Sequence, residues 1–215
     1  STNSFHIDFA KKYYFKENLI DIGNINFFII PNTIYPDSAY TIDKYQFPNK
    51  IKAVILGRME YEGFIQKGFI DLFIALNTVS PQVLERFEIT VVGQGAYRHQ
   101  LEKLSAKLGC VEFIDSLPHE EIINKLLTSD LVILPSRFEG LSMFALEGLA
   151  CGNMCLFSRT GGLTDLIDGN GFFTEVQDIN SIRDALTNIS SLTPLQINDM
   201  KERSVELYNH KFKIA

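Results

Sequence analysis

The chain has 215 residues, of which 46% are hydrophobic and 21% are charged, and its formal net charge is −6. This apolar content at a modest net charge excludes a disordered chain, and the acidic balance argues against a non-specific nucleic-acid binder, which needs a basic face. No run of residues approaches the roughly 18 apolar positions that span a bilayer, and residues 1–15 lack the basic and apolar segments of a signal peptide. We therefore expect a folded cytoplasmic protein without nucleic acid as a partner.

The first 48 residues differ from the rest of the chain. Their pattern predicts one amphipathic helix over residues 4–16 and one strand over residues 26–30, followed by a stretch with three prolines and no periodicity. One helix and one strand cannot form a domain by themselves. We interpret residues 1–48 as the remnant of an N-terminal domain and the connector that follows it.

After residue 49, short apolar runs alternate with helical patterns. The predicted strands are residues 52–56, 88–92, 111–114, 131–134 and 154–157, and the predicted helices are residues 67–79, 96–108, 119–127, 142–151 and 163–167. Continuous apolar strands are buried on both faces, which is typical of a parallel sheet covered by helices. The sequence thus predicts an α/β fold with a doubly wound, Rossmann-like parallel sheet over residues 49–190. A C-terminal helix, residues 194–209, lies in the remaining segment 191–215.

The three cysteines, Cys110, Cys151 and Cys155, are an odd number at irregular spacing. Such a set is a poor disulfide framework and too small for a zinc site without distant histidines. We expect reduced cysteines, packed as small apolar groups. The four histidines are scattered along the chain, and we expect each to have an ordinary surface or core role.

Ligands of doubly wound sheets bind at the carboxyl ends of the strands, so the residues that follow each strand are the candidates. They are glycines and basic residues: Gly57, Arg58, Lys67, Gly93, Gly95, Gly161 and Gly162. Glycine turns let backbone N–H groups approach an anion, and a helix N-terminus adds a positive dipole end. Together these residues predict a phosphate-bearing ligand. Taken singly, each glycine turn could be no more than a tight connection, and each basic residue a solvated side chain.

Two acids stand out after the fourth predicted strand. Glu147 is the only charged residue in residues 140–158, and Glu139 precedes it by eight positions. Burial of a lone carboxylate is costly unless it is hydrogen-bonded, so Glu147 either binds ligand hydroxyls or lies on one solvent-facing side of its helix. Eight helical steps rise about 12 Å, which is too far for a glycosidase pair at ~5–9.5 Å. The two acids suit the ends of a long ligand such as a nucleotide-diphosphate-sugar, with the intervening helix N-terminus against its middle.

The string EGLSMFALE, residues 139–147, resembles the E-x7-E signature of the GT-B glycosyltransferases of family 4, the glycosyl transferases group 1. The strings LGR and KG around Arg58 and Lys67 are similar to that family's G-R…K-G element. VVGQG, PS and TGG follow in the family's order, and the resemblance covers about residues 24–190. It identifies the chain as the C-terminal, donor-binding half of such an enzyme.

The resemblance implies roles for particular residues. Arg58 and Lys67 would neutralise the donor diphosphate and stabilise it as it leaves, Glu139 would face the donor sugar, and Glu147 would bind the ribose hydroxyls. The remaining substrate-binding candidates are Gly57, Gly93, Gly95, Gly140, Leu141, Ser142, Met143, Ser116, Leu117, Gly161 and Gly162. Among these, the N–H groups of Leu141 and Ser142 would lie near hexose and phosphate, and backbone groups near Ser116 and Leu117 would contact the base. The family needs no metal or cofactor, and it transfers sugar with retention of anomeric configuration.

The implied function is that of a retaining hexosyltransferase that takes a UDP- or GDP-sugar to a glycan or lipid-linked acceptor. Bacterial polysaccharide assembly at the inner face of the membrane is the family's common use, so the full-length protein is expected to associate peripherally with it. A complete GT-B enzyme needs an acceptor domain of similar size, for which 215 residues leave no room. We therefore expect a donor-binding domain that is inactive alone. Two alternatives are a non-catalytic nucleotide-sugar sensor and a GT-B-like sugar-nucleotide epimerase.

Overall fold

A computed structural model of the protein describes residues 50–213. The helix, strand and connector expected within the first 48 residues lie outside the described residues. Of the helices in the described part, none combines the length and apolar character that a bilayer crossing requires.

Six parallel strands form one sheet. They are β1 (Ile51–Leu56), β2 (Phe87–Val92), β3 (Val111–Ile114), β4 (Leu131–Leu134), β5 (Met154–Ser158) and β6 (Gly171–Thr174). Their spatial order is β3-β2-β1-β4-β5-β6, and each neighbouring pair is parallel. The chain runs outward from β1 to one edge, returns to place β4 beside β1, and then runs to the other edge. The predicted doubly wound α/β fold is confirmed.

Helices cover both faces of this sheet. They are α1 (Tyr61–Gln66), α2 (Phe69–Leu76), α3 (Pro81–Leu84), α4 (Arg98–Ser105), α5 (His119–Leu127), α6 (Met143–Ala150), a 3-10 helix (Gly161–Leu166), α7 (Ile179–Ser190) and α8 (Pro194–Lys211). The helix predicted over residues 67–79 is α2, with shorter bounds, and α1, which ends before Lys67, was not predicted.

Alternate strand residues face opposite helical layers. In β1, Ile51 and Ile55 belong to the apolar cluster formed with α2 and α7, whereas Val54 belongs to the cluster formed with α6 and α8. All three side chains are at most 2% exposed. A strand buried on both faces is apolar at successive positions, which is why these strands could be located from sequence.

A buried ion pair connects the last helix to the centre of the sheet. Lys201 Nζ of α8 lies 3.0 Å from Asp130 Oδ1, and both side chains are 6% exposed. Asp130 directly precedes β4, and its Oδ2 also accepts a hydrogen bond from the backbone N–H of Lys52 in β1. Since buried charges are costly unless paired, this arrangement fixes α8 against the two central strands.

Candidate functional site

A cleft of about 620 Å³ lies at the carboxyl ends of β1, β2 and β3 and is bounded by the N-terminus of α6. Ten of the predicted site residues line it: Gly57, Arg58, Lys67, Gly93, Ser116, Leu117, Glu139, Leu141, Ser142 and Met143. The strand order explains this convergence, because the chain reverses direction between β1 and β4, and such a switch point leaves a crevice between the diverging loops.

Arg58, Lys67 and the carboxylate of Glu139 lie together in one part of the cleft. Lys67 Nζ lies 2.5 Å from Glu139 Oε2, and the buried Ser136 hydroxyl donates to the same oxygen at 3.4 Å. Arg58 is exposed, and its guanidinium makes no ion pair or hydrogen bond with any other residue of the range 50–213. The cleft therefore offers one uncompensated positive charge beside a lysine whose charge is shared with an acid.

The loop that carries Glu139 is fastened to the junction of α1 and α2. The backbone N–H of Arg137 donates to the Gln66 carbonyl at 2.7 Å, and the Gln66 side chain donates to the Phe138 carbonyl at 3.1 Å. The Arg137 guanidinium donates two bonds of 2.9 Å to the buried carboxylate of Asp71. These bonds raise the pKa of Arg137, although partial burial opposes the shift. The same fastening keeps Glu139 within reach of Lys67.

Sequence reasoning missed the pair of Asp71 and Arg137. The two residues are 66 positions apart, and neither belongs to a recognisable local motif. An acid buried on the apolar helix α2 was the available signal, by the same reasoning that singled out Glu147.

The turns after β1 and β2 touch each other. Gly93 has φ of 151°, and a Cβ atom there would lie 2.0 Å from the Gly57 carbonyl oxygen. Only glycine fits this approach, so both turns stay close to the cleft floor. Gly95 lies outside the lining of the cleft, where a Cβ atom would meet the backbone of Met59.

The glycines after β5 contact the loop that carries Glu139. Gly162 N–H donates to the Gly140 carbonyl at 3.0 Å. Gly161 has φ of 50°, and a Cβ atom on it would lie 1.7 Å from the Glu139 carbonyl oxygen. None of Gly140, Gly161 and Gly162 lines the cleft. Their contacts support the Glu139 loop, and the predicted binding of the ligand by these three glycines stays a prediction.

Helix α6 begins at the cleft. Ser142 is its N-cap, and the hydroxyl accepts a bond of 3.3 Å from the Ala145 N–H. This side chain satisfies one of the free amide groups of the first turn. The amides of the first turn add a positive dipole end next to Lys67.

Glu147 lies one turn deeper in α6 and does not line the cleft. It is 7% exposed, so the alternative of a solvent-facing side chain is wrong. Its Oε1 lies 2.9 Å from Nε2 of His119, the exposed first residue of α5. His119, for which the sequence suggested an ordinary surface or core role, is thus the partner of Glu147. Burial, with a smaller contribution from the Glu147 charge, raises the pKa of Cys151 to about 12.

At the other end of the cleft, Arg98 of α4 holds the ends of β2 and β3 together. Its Nη1 bonds to the carboxylate of Asp115 and lies 3.5 Å from the Gly93 carbonyl, and its Nε bonds to Glu102 at 2.8 Å. The bond to Glu102 contributes most to the raised pKa of Arg98, and the Asp115 charge acts in the same direction.

Within residues 50–213, no group of three or more His, Cys, Asp or Glu side chains is arranged to hold a metal ion. The three cysteines are free, with Cys151 and Cys155 buried and Cys110 half-buried. The groups that line the described cleft include the cations Arg58 and Lys67 and the carboxylates Asp115 and Glu139.

Comparison with known proteins relates the chain to glycosyltransferases. Residues 41–204 match the family described as "Glycosyl transferases group 1". An uncharacterized glycosyltransferase of Methanocaldococcus jannaschii is 25% identical over 193 residues, covering 88% of this chain and 50% of that protein. The D-inositol 3-phosphate glycosyltransferase of Corynebacterium jeikeium is 36% identical over 100 residues, covering 43% of this chain and 24% of that protein.

Among solved structures, sucrose-phosphate synthase of Thermosynechococcus elongatus has a TM-score of 0.76 at 20% identity, covering 99% of this chain and 53% of that one. This likeness concerns the fold alone. The chain spans about half the length of these proteins, or less.

Proposed function

Because this chain belongs to the glycosyl transferases group 1 family, we propose that its cleft binds the nucleotide-diphosphate-sugar donor of a retaining hexosyltransferase. The observation that carries the proposal is the meeting of Arg58, Lys67 and Glu139 in one cleft beside the N-terminus of α6. Two cations and a row of amides suit a diphosphate, and a carboxylate next to them suits sugar hydroxyls.

The mechanism follows from where charge develops. When the glycosidic bond of the donor breaks, negative charge accumulates on the departing diphosphate. Fixed positive groups lower the barrier because they bind the transition state, which carries this charge, more strongly than the ground state. Arg58 and Lys67 supply this stabilisation in place of a metal ion. Glu139 orients the hexose, and the Leu141 and Ser142 amides contact the junction between hexose and phosphate.

In the proposed reaction, the residues of this chain bind the donor. We propose that a further part of the protein binds the glycan or lipid-linked acceptor, and that the present residues bind the donor without transferring its sugar. The proposal includes polysaccharide assembly in a bacterium, at the cytoplasmic face of the membrane, as the setting of the whole protein. A non-catalytic sensor of nucleotide sugars would bind the same ligands. Its recognition would not depend on a carboxylate that faces the sugar.

The test is ligand-induced stabilisation of the purified chain by UDP, GDP, their hexose esters and NAD. A ligand present at 100 times its dissociation constant adds about 2.7 kcal/mol to the free energy of unfolding. We expect stabilisation by a nucleoside diphosphate and its sugar ester. Arg58→Gln should abolish most of it, whereas the matched control Arg183→Gln, on the remote helix α7, should keep it. Stabilisation by NAD in the absence of any effect of sugar nucleotides contradicts the proposal.

A further inference from the structure

The strand order places charges in sequence along the cleft. From one end to the other, the strands whose following loops line it are β3, β2, β1 and β4. Asp115 follows β3, the Gly93 turn follows β2, Arg58 follows β1, and Glu139 is reached after β4. Neighbouring strands are about 4.8 Å apart. Because β2 and β1 lie between β3 and β4, the glycine turn and the cations separate the carboxylate of Asp115 from that of Glu139. Along the cleft the charge is therefore negative at Asp115, neutral at the Gly93 turn, positive at Arg58 and negative at Glu139.

This order assigns a direction to the ligand, on the basis of the proposed function. The diphosphate lies against Arg58 and Lys67, and the sugar lies against Glu139. The nucleoside must then extend over the Gly93 turn toward Asp115, where Ser116 and Leu117 continue the lining. The base therefore ends at a carboxylate.

Asp115 is held in place and still has free acceptor positions. The Arg98 guanidinium bonds to its Oδ1 and also donates to the carbonyls of Gly93 and Phe113, each at 3.5 Å. Among residues 50–213, Arg98 is the only one that makes a hydrogen bond or ion pair with the Asp115 carboxylate, whose side chain is 75% exposed and lines the cleft. A carboxylate has about four lone-pair positions, and a second donor pair can approach without displacing Arg98.

We propose that Asp115 selects a guanine nucleotide as the donor. A carboxylate accepts hydrogen bonds and donates none. Guanine presents two adjacent donors, its N1–H and its 2-amino group, which match the two carboxylate oxygens in a bidentate pair. Uracil presents one N–H between two carbonyl oxygens, and adenine and cytosine place a ring acceptor beside their amino group. Each of these three bases directs a lone pair at the carboxylate, which favours guanine by repulsion as well as by attraction.

Calorimetric titration of the chain with GDP, UDP and ADP tests this assignment. We expect GDP to bind at least about tenfold more tightly than UDP or ADP, the range of a charge-assisted hydrogen-bond pair. Asp115→Asn should weaken GDP binding about tenfold and change UDP binding less than about threefold. The control Glu112→Gln removes the same charge from β3 outside the cleft and should leave all three affinities unchanged.

Three results would overturn the assignment. Equal affinities for GDP and UDP in the wild-type chain exclude base selection by Asp115. An equal loss for all three nucleotides in Asp115→Asn indicates a ribose or general electrostatic contact instead. Binding of none of them overturns the proposed function as well, whereas binding without guanine preference overturns only this inference. The thermal midpoint of Asp115→Asn without ligand shows whether the variant is folded, so that a loss of binding is not mistaken for a loss of fold. The second variant, Asp115→Glu, keeps the charge but moves it.

Discussion

The ammonium group of Lys67 lies 2.5 Å from Oε2 of Glu139, so a cation and an anion of the cleft neutralise each other before any ligand arrives. Ser136 donates to the same carboxylate oxygen. The other oxygen, Oε1, makes no side-chain hydrogen bond within residues 50–213, and in the proposed function it is the acceptor left for a sugar hydroxyl. A diphosphate, in contrast, must share Lys67 with Glu139.

Removal of that competition gives the first prediction. Glu139→Gln keeps the shape of the side chain and releases the Lys67 charge, so GDP or UDP without a sugar should bind about fivefold more tightly, or about 1 kcal/mol, at low salt. Calorimetry at two salt concentrations measures the gain, which should shrink as salt screens the exposed phosphate. The control Glu175→Gln removes an exposed acid that pairs with Arg159 outside the cleft. Weaker binding of the free diphosphate to Glu139→Gln would mean that Glu139 contacts the nucleotide itself.

A pair of glycines separates backbone conformation from steric contact. Gly161 and Gly109 both have positive φ, 50° and 65°, but a Cβ atom on Gly109 has nothing within 4 Å, whereas one on Gly161 lies 1.7 Å from the Glu139 carbonyl. Gly109→Ala should lower the free energy of unfolding by about 1 kcal/mol. Gly161→Ala should cost about 3 kcal/mol or more and weaken nucleotide binding, because the Glu139 loop must move.

Urea denaturation measures both losses, and calorimetry measures the nucleotide affinity of each variant. Gly109 lies on the loop before β3 and its variant should bind normally. Similar losses of stability for the two variants would show that the Glu139 loop is not held by its contact with Gly161.

Cys151 predicts a dependence of stability on alkaline pH. Burial first, and the Glu147 charge second, raise its pKa to about 12 from an ordinary value of 9.0. Above pH 9 the thiol ionises in the unfolded chain while it stays protonated in the folded one, so its contribution to stability is complete below about pH 9 and is lost progressively toward pH 12. Cys151→Ala should therefore lose stability less steeply between pH 9 and 11.

Denaturation at a series of pH values compares the two slopes, and identical slopes would contradict the raised pKa. Alkylation gives an independent measurement. In the folded chain Cys151 and Cys155 should be protected from iodoacetamide at pH 8, because burial raises both thiol pKa values, and all three cysteines should react after unfolding.

The central strands could be predicted because their apolar runs are continuous and end in glycine or polar residues. The edge strand β6 was not predicted, since three of its four residues are only half-buried and Gly171 favoured a turn. Helix α7 was also absent from the prediction, although Asp178 caps it and Ile182, Leu186 and Ile189 follow at helical spacing. This cap and this spacing are a helix signal in the sequence itself.

Some features of the candidate site could be predicted from local sequence, and others could not. Local motifs predicted that Arg58, Lys67 and Glu139 lie close together, and they line one cleft because they follow strand ends that a doubly wound sheet brings together. Pairing of Arg137 with Asp71 and of His119 with Glu147 depends on how helices from distant parts of the chain face each other. Periodicity within one segment does not contain this information, and so these contacts appear only in the folded chain.

The central position of β1 and β4 has a consequence for the order in which the molecule assembles. Lys52 and Asp130, which join these strands, are 78 positions apart, and the chain between them supplies β2 and β3. Closing so long a loop is slow relative to local steps, and during synthesis it must wait until β4 has emerged. Strands β1, β2 and β3 can associate earlier, but Arg58 and Lys67, which follow β1, come together with Glu139, which follows β4, only when this late pairing is complete. Nucleotide affinity should thus be among the last properties that a refolding chain regains.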